Sequence, residues 1–183
     1  MNEIRARIDE IDGQIKELFL ARMDCARLVA QTKAERGGDV FVPQREAEII
    51  QGRTADVDGA FRARYADFLT GLMRISRNYQ YSLLTGMQAE VLEALLARAG
   101  LSAGQAHTAV RVVFRCPDGG LSAYLHMVSL NGIAVKHLEA DRQGGGLRVE
   151  LTLAGSLETE GMGCLLCQLG KEARDFELLS LEA

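Results

Sequence analysis

Several polar side chains stand where helical spacing calls for apolar ones. Arg22 interrupts a stripe in which Ile4, Ile8, Ile11, Ile15, Leu18, Cys25 and Val29 recur at alternating intervals of four and three. Lys33 follows Val29 by four residues and lies eleven beyond Arg22, so both cations point the same way. Farther along, Ser76 and Gln80 are four apart and extend a side that carries Leu72 and Met73, while Arg45-Glu46 lies just behind Pro43. Cations on an inward surface are costly unless paired, and these stripes supply few carboxylates. Two cations, a hydroxyl and a carboxamide, with an Arg–Glu pair nearby, suit a small anionic ligand, because a guanidinium fork grips a carboxylate through two hydrogen bonds. A lone arginine on a stripe more often snorkels or pairs at a helix seam. The coincidence of several groups with matching hydrogen-bonding capacity is what points to a ligand.

These groups need helices to position them. The 4,3 spacing predicts a first helix of about 33 residues, ended by Gly37-Gly38. At ~1.5 Å per residue it is a rod of roughly 50 Å, too long for a hundred-residue bundle to cover, so pairing with a second chain is the economical solution. Pro43 opens a second helix, with Glu46 and Glu48 in its first turns. A third runs from about Phe61 past Gln80, with Tyr65, Phe68, Leu69, Leu72 and Met73 on its apolar side, and its pattern extends toward Val91, Leu92, Leu95 and Leu96. Residues 1–98 are thus expected to form a helical domain and 99–108 a linker. Residues 109–183 alternate in a β-α-β-β-α-β order expected of a ferredoxin-like unit, giving an α plus α+β fold class. Strands are expected near 110–114, 133–138, 147–153 and 176–181, with helices after Pro117 and through Cys164–Leu169.

Composition narrows the function classes. The chain has 183 residues and a formal net charge of −4, which argues against a general nucleic-acid binder. Hydrophobic residues at 48% and charged residues at 25% fit a globular protein, and no apolar run is long enough for a membrane span. The N-terminus is charged and periodic from its first residues, so no signal peptide is expected, and a cytoplasmic location is the default. Four cysteines do not make a disulfide framework at this length. Cys164 and Cys167 have CxxC spacing but lie in an apolar helical segment with no second pair, so packing is expected and no metal. Cys25, on the stripe, reads as a small core residue. His107, His126 and His137 have no recognisable partner.

Residues 1 to about 85 resemble the all-helical chorismate mutases. The resemblance is carried by Ile4-Arg5-Ala6-Arg7-Ile8-Asp9-Glu10-Ile11-Asp12, Ala21-Arg22-Met23, Val29-Ala30-Gln31-Thr32-Lys33, Pro43-Gln44-Arg45-Glu46-Ala47-Glu48-Ile49 and Ser76-Arg77-Asn78-Tyr79-Gln80, in that order. It implies an intertwined three-helix homodimer in which Arg5 enters the partner's site. It further implies that Arg22 and Arg45 bind the carboxylates of chorismate with help from Ser76, that Lys33 and Gln80 donate to its ether oxygen, and that Glu46 accepts from its ring hydroxyl. The family often has Asp three residues before the Arg–Glu pair. Here Val42 stands in that place, where the family uses mainly the backbone N–H. The implied reaction, chorismate to prephenate, is a pericyclic rearrangement that needs no nucleophile, metal or cofactor. Relatives acting on isochorismate or aminodeoxychorismate are alternatives.

Residues 109–183 resemble ACT domains, through Pro117-Asp118-Gly119-Gly120-Leu121-Ser122-Ala123-Tyr124-Leu125, Leu130-Asn131-Gly132-Ile133-Ala134-Val135 and Leu138-Glu139-Ala140. That resemblance implies an effector site, for phenylalanine or tyrosine, drawing on Asp118, Gly119, Gly120 and Leu121 and on Asn131 and Gly132 at the facing edge, and an assembly that could exceed a dimer. The competing reading is that Gly119-Gly120 is only a tight turn and the domain only a dimerisation unit. A non-catalytic sensor or partner subunit is the alternative for the whole chain.

Overall fold

Helix α1 (Asn2–Arg36) runs 35 residues and stops where Gly37 and Gly38 take positive φ angles of 76° and 120°, with Gly37 N–H bonded to Lys33 O at 2.9 Å. In this computed structural model, which describes all residues 1–183, three further helices follow: α2 (Pro43–Thr54), α3 (Gly59–Leu83) and α4 (Thr85–Ala99). Pro43 sits at the start of α2, where its missing N–H costs nothing. Asp58 caps α3 by accepting from Ala60 N–H at 2.8 Å. The second half comprises β1 (Ala109–Pro117), α5 (Leu121–Leu130), β2 (Val135–Gln143), β3 (Gly146–Ala154), α6 (Met162–Glu172) and β4 (Arg174–Glu182). The four strands make one antiparallel sheet in the order β2-β3-β1-β4, with Val112 opposite Leu151 and Leu178. A helical N-terminal region is therefore followed by an α+β unit.

The β2–β3 hairpin turns on Gly144 and Gly145, both at positive φ, between paired Gln143 and Gly146. At the start of α6, Gly161 passes so close to the end of α5 that a Cβ there would strike the Asn131 carbonyl. The larger core lies between the sheet and its helices and includes Val110, Phe114, Leu151, Leu153, Leu165 and Leu169.

Two features lie beyond what the apolar pattern decides. The third helix does not run on: it breaks at Leu84, φ −96° and ψ 61°, and α4 begins at Thr85. Tyr81 O accepts Leu84 N–H at 3.2 Å at the break and Gln88 Nε2 at 2.7 Å, so the side chain of α4 braces the corner. The break redirects α4, so that Leu95 and Leu96 join the core of the α+β half. The halves are also joined by a second, smaller core of Ala30, Val40, Tyr81, Leu84, Cys164 and Cys167, which draws on α1, α3 and α6.

The stripe Ile4, Ile8, Ile11, Ile15 and Leu18 is exposed in the single chain, Leu18 by 71%. No helix is long and apolar enough to cross a membrane.

Candidate active site

A cavity of about 390 Å³ opens between α1, the start of α2 and the C-terminal half of α3. Helix α1 contributes Arg22, Cys25, Ala26, Val29 and Lys33; α2 contributes Arg45, Glu46 and Ile49; α3 contributes Met73, Ser76, Arg77 and Gln80. Asp39, Val40 and Val42 complete the wall from the intervening loop. Seven of the eight substrate-contacting residues expected from sequence (Arg22, Lys33, Val42, Arg45, Glu46, Ser76 and Gln80) thus border one space. Arg5 does not. It lies seventeen residues before Arg22 on the same straight helix, about 26 Å away at ~1.5 Å per residue.

The cavity is cationic by construction. Arg22, Lys33 and Arg45 make no ion pair with any carboxylate, although pairs exist elsewhere in the chain. Arg22 Nη1 is buried with no hydrogen-bond partner, and burial holds the Arg22 guanidinium below its ordinary pKa despite the nearby charge of Glu46. Lys33 Nζ donates to Asp39 O at 2.7 Å. Burial, reinforced by the charge of Arg45 and opposed by Asp39, lowers its pKa as well. The first turn of α2 borders the cavity and adds the partial positive charge of a helix N-terminus. Gln80, 8% exposed, donates through Nε2 to Ser76 O at 3.3 Å, and its Oε1 is buried without a partner.

Glu46 is held by a residue that the spacing argument did not single out. Arg77 Nη1 donates to both Glu46 carboxylate oxygens at 2.5 Å. Arg77 also binds Glu172 at the end of α6, through Nε at 2.8 Å and Nη2 at 2.9 Å, and its guanidinium lies 4.5 Å from the Phe41 ring centre. Burial opposes the Arg77 charge, but the hydrogen bonds and charges of Glu172 and Glu46 outweigh it and raise the pKa. Burial also pushes the Glu172 carboxyl up, against the pull of Arg77. Arg77 was visible in sequence only as one more charge on α3, because its partner Glu172 lies 95 residues away.

Cys25 is a correction to the sequence reading: it is exposed and faces the cavity rather than a core, since spacing gives the stripe but not which part of it is covered. Cys164 and Cys167 are free and buried, and burial pushes their thiols up to about 11 and about 12. His107 has a structural partner set, with Nδ1–H donating to Gln105 O at 2.6 Å and Nε2 accepting Leu157 N–H at 2.8 Å. The structure does not gather the residues expected at an effector site. Asp118, Gly119, Gly120 and Leu121 lie at the start of α5, with Asp118 bonded to Arg142 at 3.1 Å. Asn131 and Gly132 lie at its other end, where Asn131 Nδ2 donates to Met127 O at 2.8 Å.

Residues 4–81 match the family model for chorismate mutase type II. The chain is 27% identical over 60 residues to the T-protein of Haemophilus influenzae, covering 33% of this chain and 16% of that protein. The chain therefore spans about a sixth of that relative's length. No solved structure matches it.

Proposed function

We propose that the protein is a chorismate mutase that rearranges chorismate to prephenate in the cavity between α1, α2 and α3. The observation that carries this reading is the convergence of three unpaired cations on one space with Glu46, Ser76 and Gln80, inside the segment that matches the family. A flexible dianion must be folded into a reactive shape, and the bond that breaks leaves negative charge on the ether oxygen. Arg22 and Arg45 take the two carboxylates, with the Ser76 hydroxyl and the N-terminal turn of α2 at Val42 in support. Restricting the substrate in this way is positional catalysis. Lys33 and Gln80 aim donors at the ether oxygen, where preorganised charge is worth most. Gln80 Nε2 carries two hydrogens, and its single contact with Ser76 O leaves one available. Both Glu46 oxygens accept from Arg77 Nη1, and each keeps a further lone pair for the ring hydroxyl.

A second copy of the chain completes the site. The exposed apolar stripe on α1 supports this, as does the position of Arg5 far from its own cavity but on the same helix. The α+β half is an ACT-like regulatory domain for an aromatic amino acid; its βαββαβ order and antiparallel sheet support that assignment.

The deciding measurement is the loss of chorismate absorbance with identification of the product, repeated with phenylalanine or tyrosine. Prephenate formation, with a rate that one of the amino acids changes, is expected. A folded dimer that leaves chorismate unchanged would sink the mutase reading.

A further inference from the structure

The Arg77 guanidinium spends its hydrogen bonds on carboxylates from both halves of the chain. Its side chain is 8% exposed and that of Glu172 only 2%, so this is an internal junction rather than a surface pair. Nε and Nη2 meet the two oxygens of Glu172 side by side, which fixes the guanidinium plane and leaves Nη1 directed at Glu46. Glu172 is itself fixed: Gln168 Nε2 donates to it at 3.2 Å, and Asn78, next to Arg77 on α3, donates to Gln168 Oε1 at 3.2 Å. Glu46 has no other hydrogen-bond partner through its carboxylate. It also lies near enough to Arg22 for their charges to interact. Engaged by Arg77, it stays off Arg22 and leaves that cation to a ligand.

We propose that Arg77 and Glu172 are positioning residues for Glu46, so that the α+β half holds part of the cavity of the helical half in working geometry. The proposal rests on the chorismate mutase reading and assigns Glu172 a role in turnover without contact with substrate. It makes Glu172 act through Arg77 on Glu46, and therefore predicts that the effects of altering Glu172 and Glu46 are not independent.

The test is a double-mutant cycle on kcat/KM for chorismate with Glu172→Gln and Glu46→Gln, in the full chain, with thermal melts to separate loss of fold. Glu172→Gln alone should lower kcat/KM roughly tenfold, as expected when a binding group is misplaced. In the Glu46→Gln background the same change should cost less than about twofold, because nothing is left to position. Arg77→Lys, which can reach one carboxylate but not both, should reproduce the tenfold loss. Should Glu172→Gln fail to fold, Glu172→Asp, which keeps the charge but draws it back by one methylene, takes its place in the cycle. Wild-type kcat/KM in the Glu172 variant, or losses that multiply in full with Glu46→Gln, would overturn the proposal. A wild-type chain inert toward chorismate would instead overturn the mutase reading, so the two failures are distinct.

Discussion

Lys33 shows how much a single side chain can carry here. Its ammonium is tethered to Asp39 O yet partly desolvated and crowded by Arg45, so it is a strong donor held at a fixed place. Replacing it by alanine should lower kcat by roughly 10²–10³, the usual effect of losing one preorganised donor, with folding unchanged by circular dichroism. The depressed pKa has a further consequence. A lysine whose folded pKa lies below 10.5 loses its proton sooner as pH rises. The kcat/KM profile should therefore fall on its alkaline side below the ordinary lysine range, since this parameter reports groups of the free enzyme. A profile flat to the ordinary lysine range would count against Lys33 as the charged donor. Lys33 and Arg22 were legible in sequence because a cation on an apolar stripe is expensive, and expense draws attention. Arg77 was not, since its cost is offset by a residue from another domain.

Breaks and faces decide what each element offers. The apolar residues of α3 and α4 share one periodic pattern, and nothing in that pattern marks Leu84 as a corner. The corner exists because α4 must lie on α6 and β4, where Leu95 and Leu96 enter the larger core. Strand and helix positions in the α+β half were more legible, because alternation and glycine punctuation act locally: Gly144-Gly145 turns the hairpin and Asn131-Gly132 ends α5. On α6 the CxxC pair faces α3 and α1 as packing. With thiols pushed up to about 11 and about 12, Cys164 and Cys167 hold a thiolate fraction at pH 8 on the order of 10⁻³ or less, before access is considered. Iodoacetamide should therefore modify Cys25 in the folded protein and spare both, read by peptide mass spectrometry. Modification of Cys164 or Cys167 ahead of Cys25 would show that α6 does not pack as described.

The whole molecule raises a question of reach. Helix α1 is 35 residues long, roughly 52 Å at ~1.5 Å per residue, and its exposed stripe of Ile4, Ile8, Ile11, Ile15 and Leu18 has no cover within the chain. On the proposed reading Arg5, about 26 Å along that helix from the cavity of its own chain, serves the cavity of a two-fold partner, and in an isologous pair the exchange is reciprocal. The length of the stripe is what suggests pairing in the sequence, while the geometry of a pair is a matter of assembly. Mixed dimers decide it. Arg5→Ala and Lys33→Ala homodimers should each be nearly inactive. After the two variants are unfolded together and refolded, half the dimers are mixed, and each mixed dimer rebuilds one intact site from the Lys33 of one chain and the Arg5 of the other. Activity should then recover to about a quarter of wild type, as random pairing of two-fold dimers requires. Recovery near zero, with mixed dimers verified by native mass spectrometry, would mean that Arg5 acts within its own chain, and an active Arg5→Ala homodimer would mean that it has no part in the site.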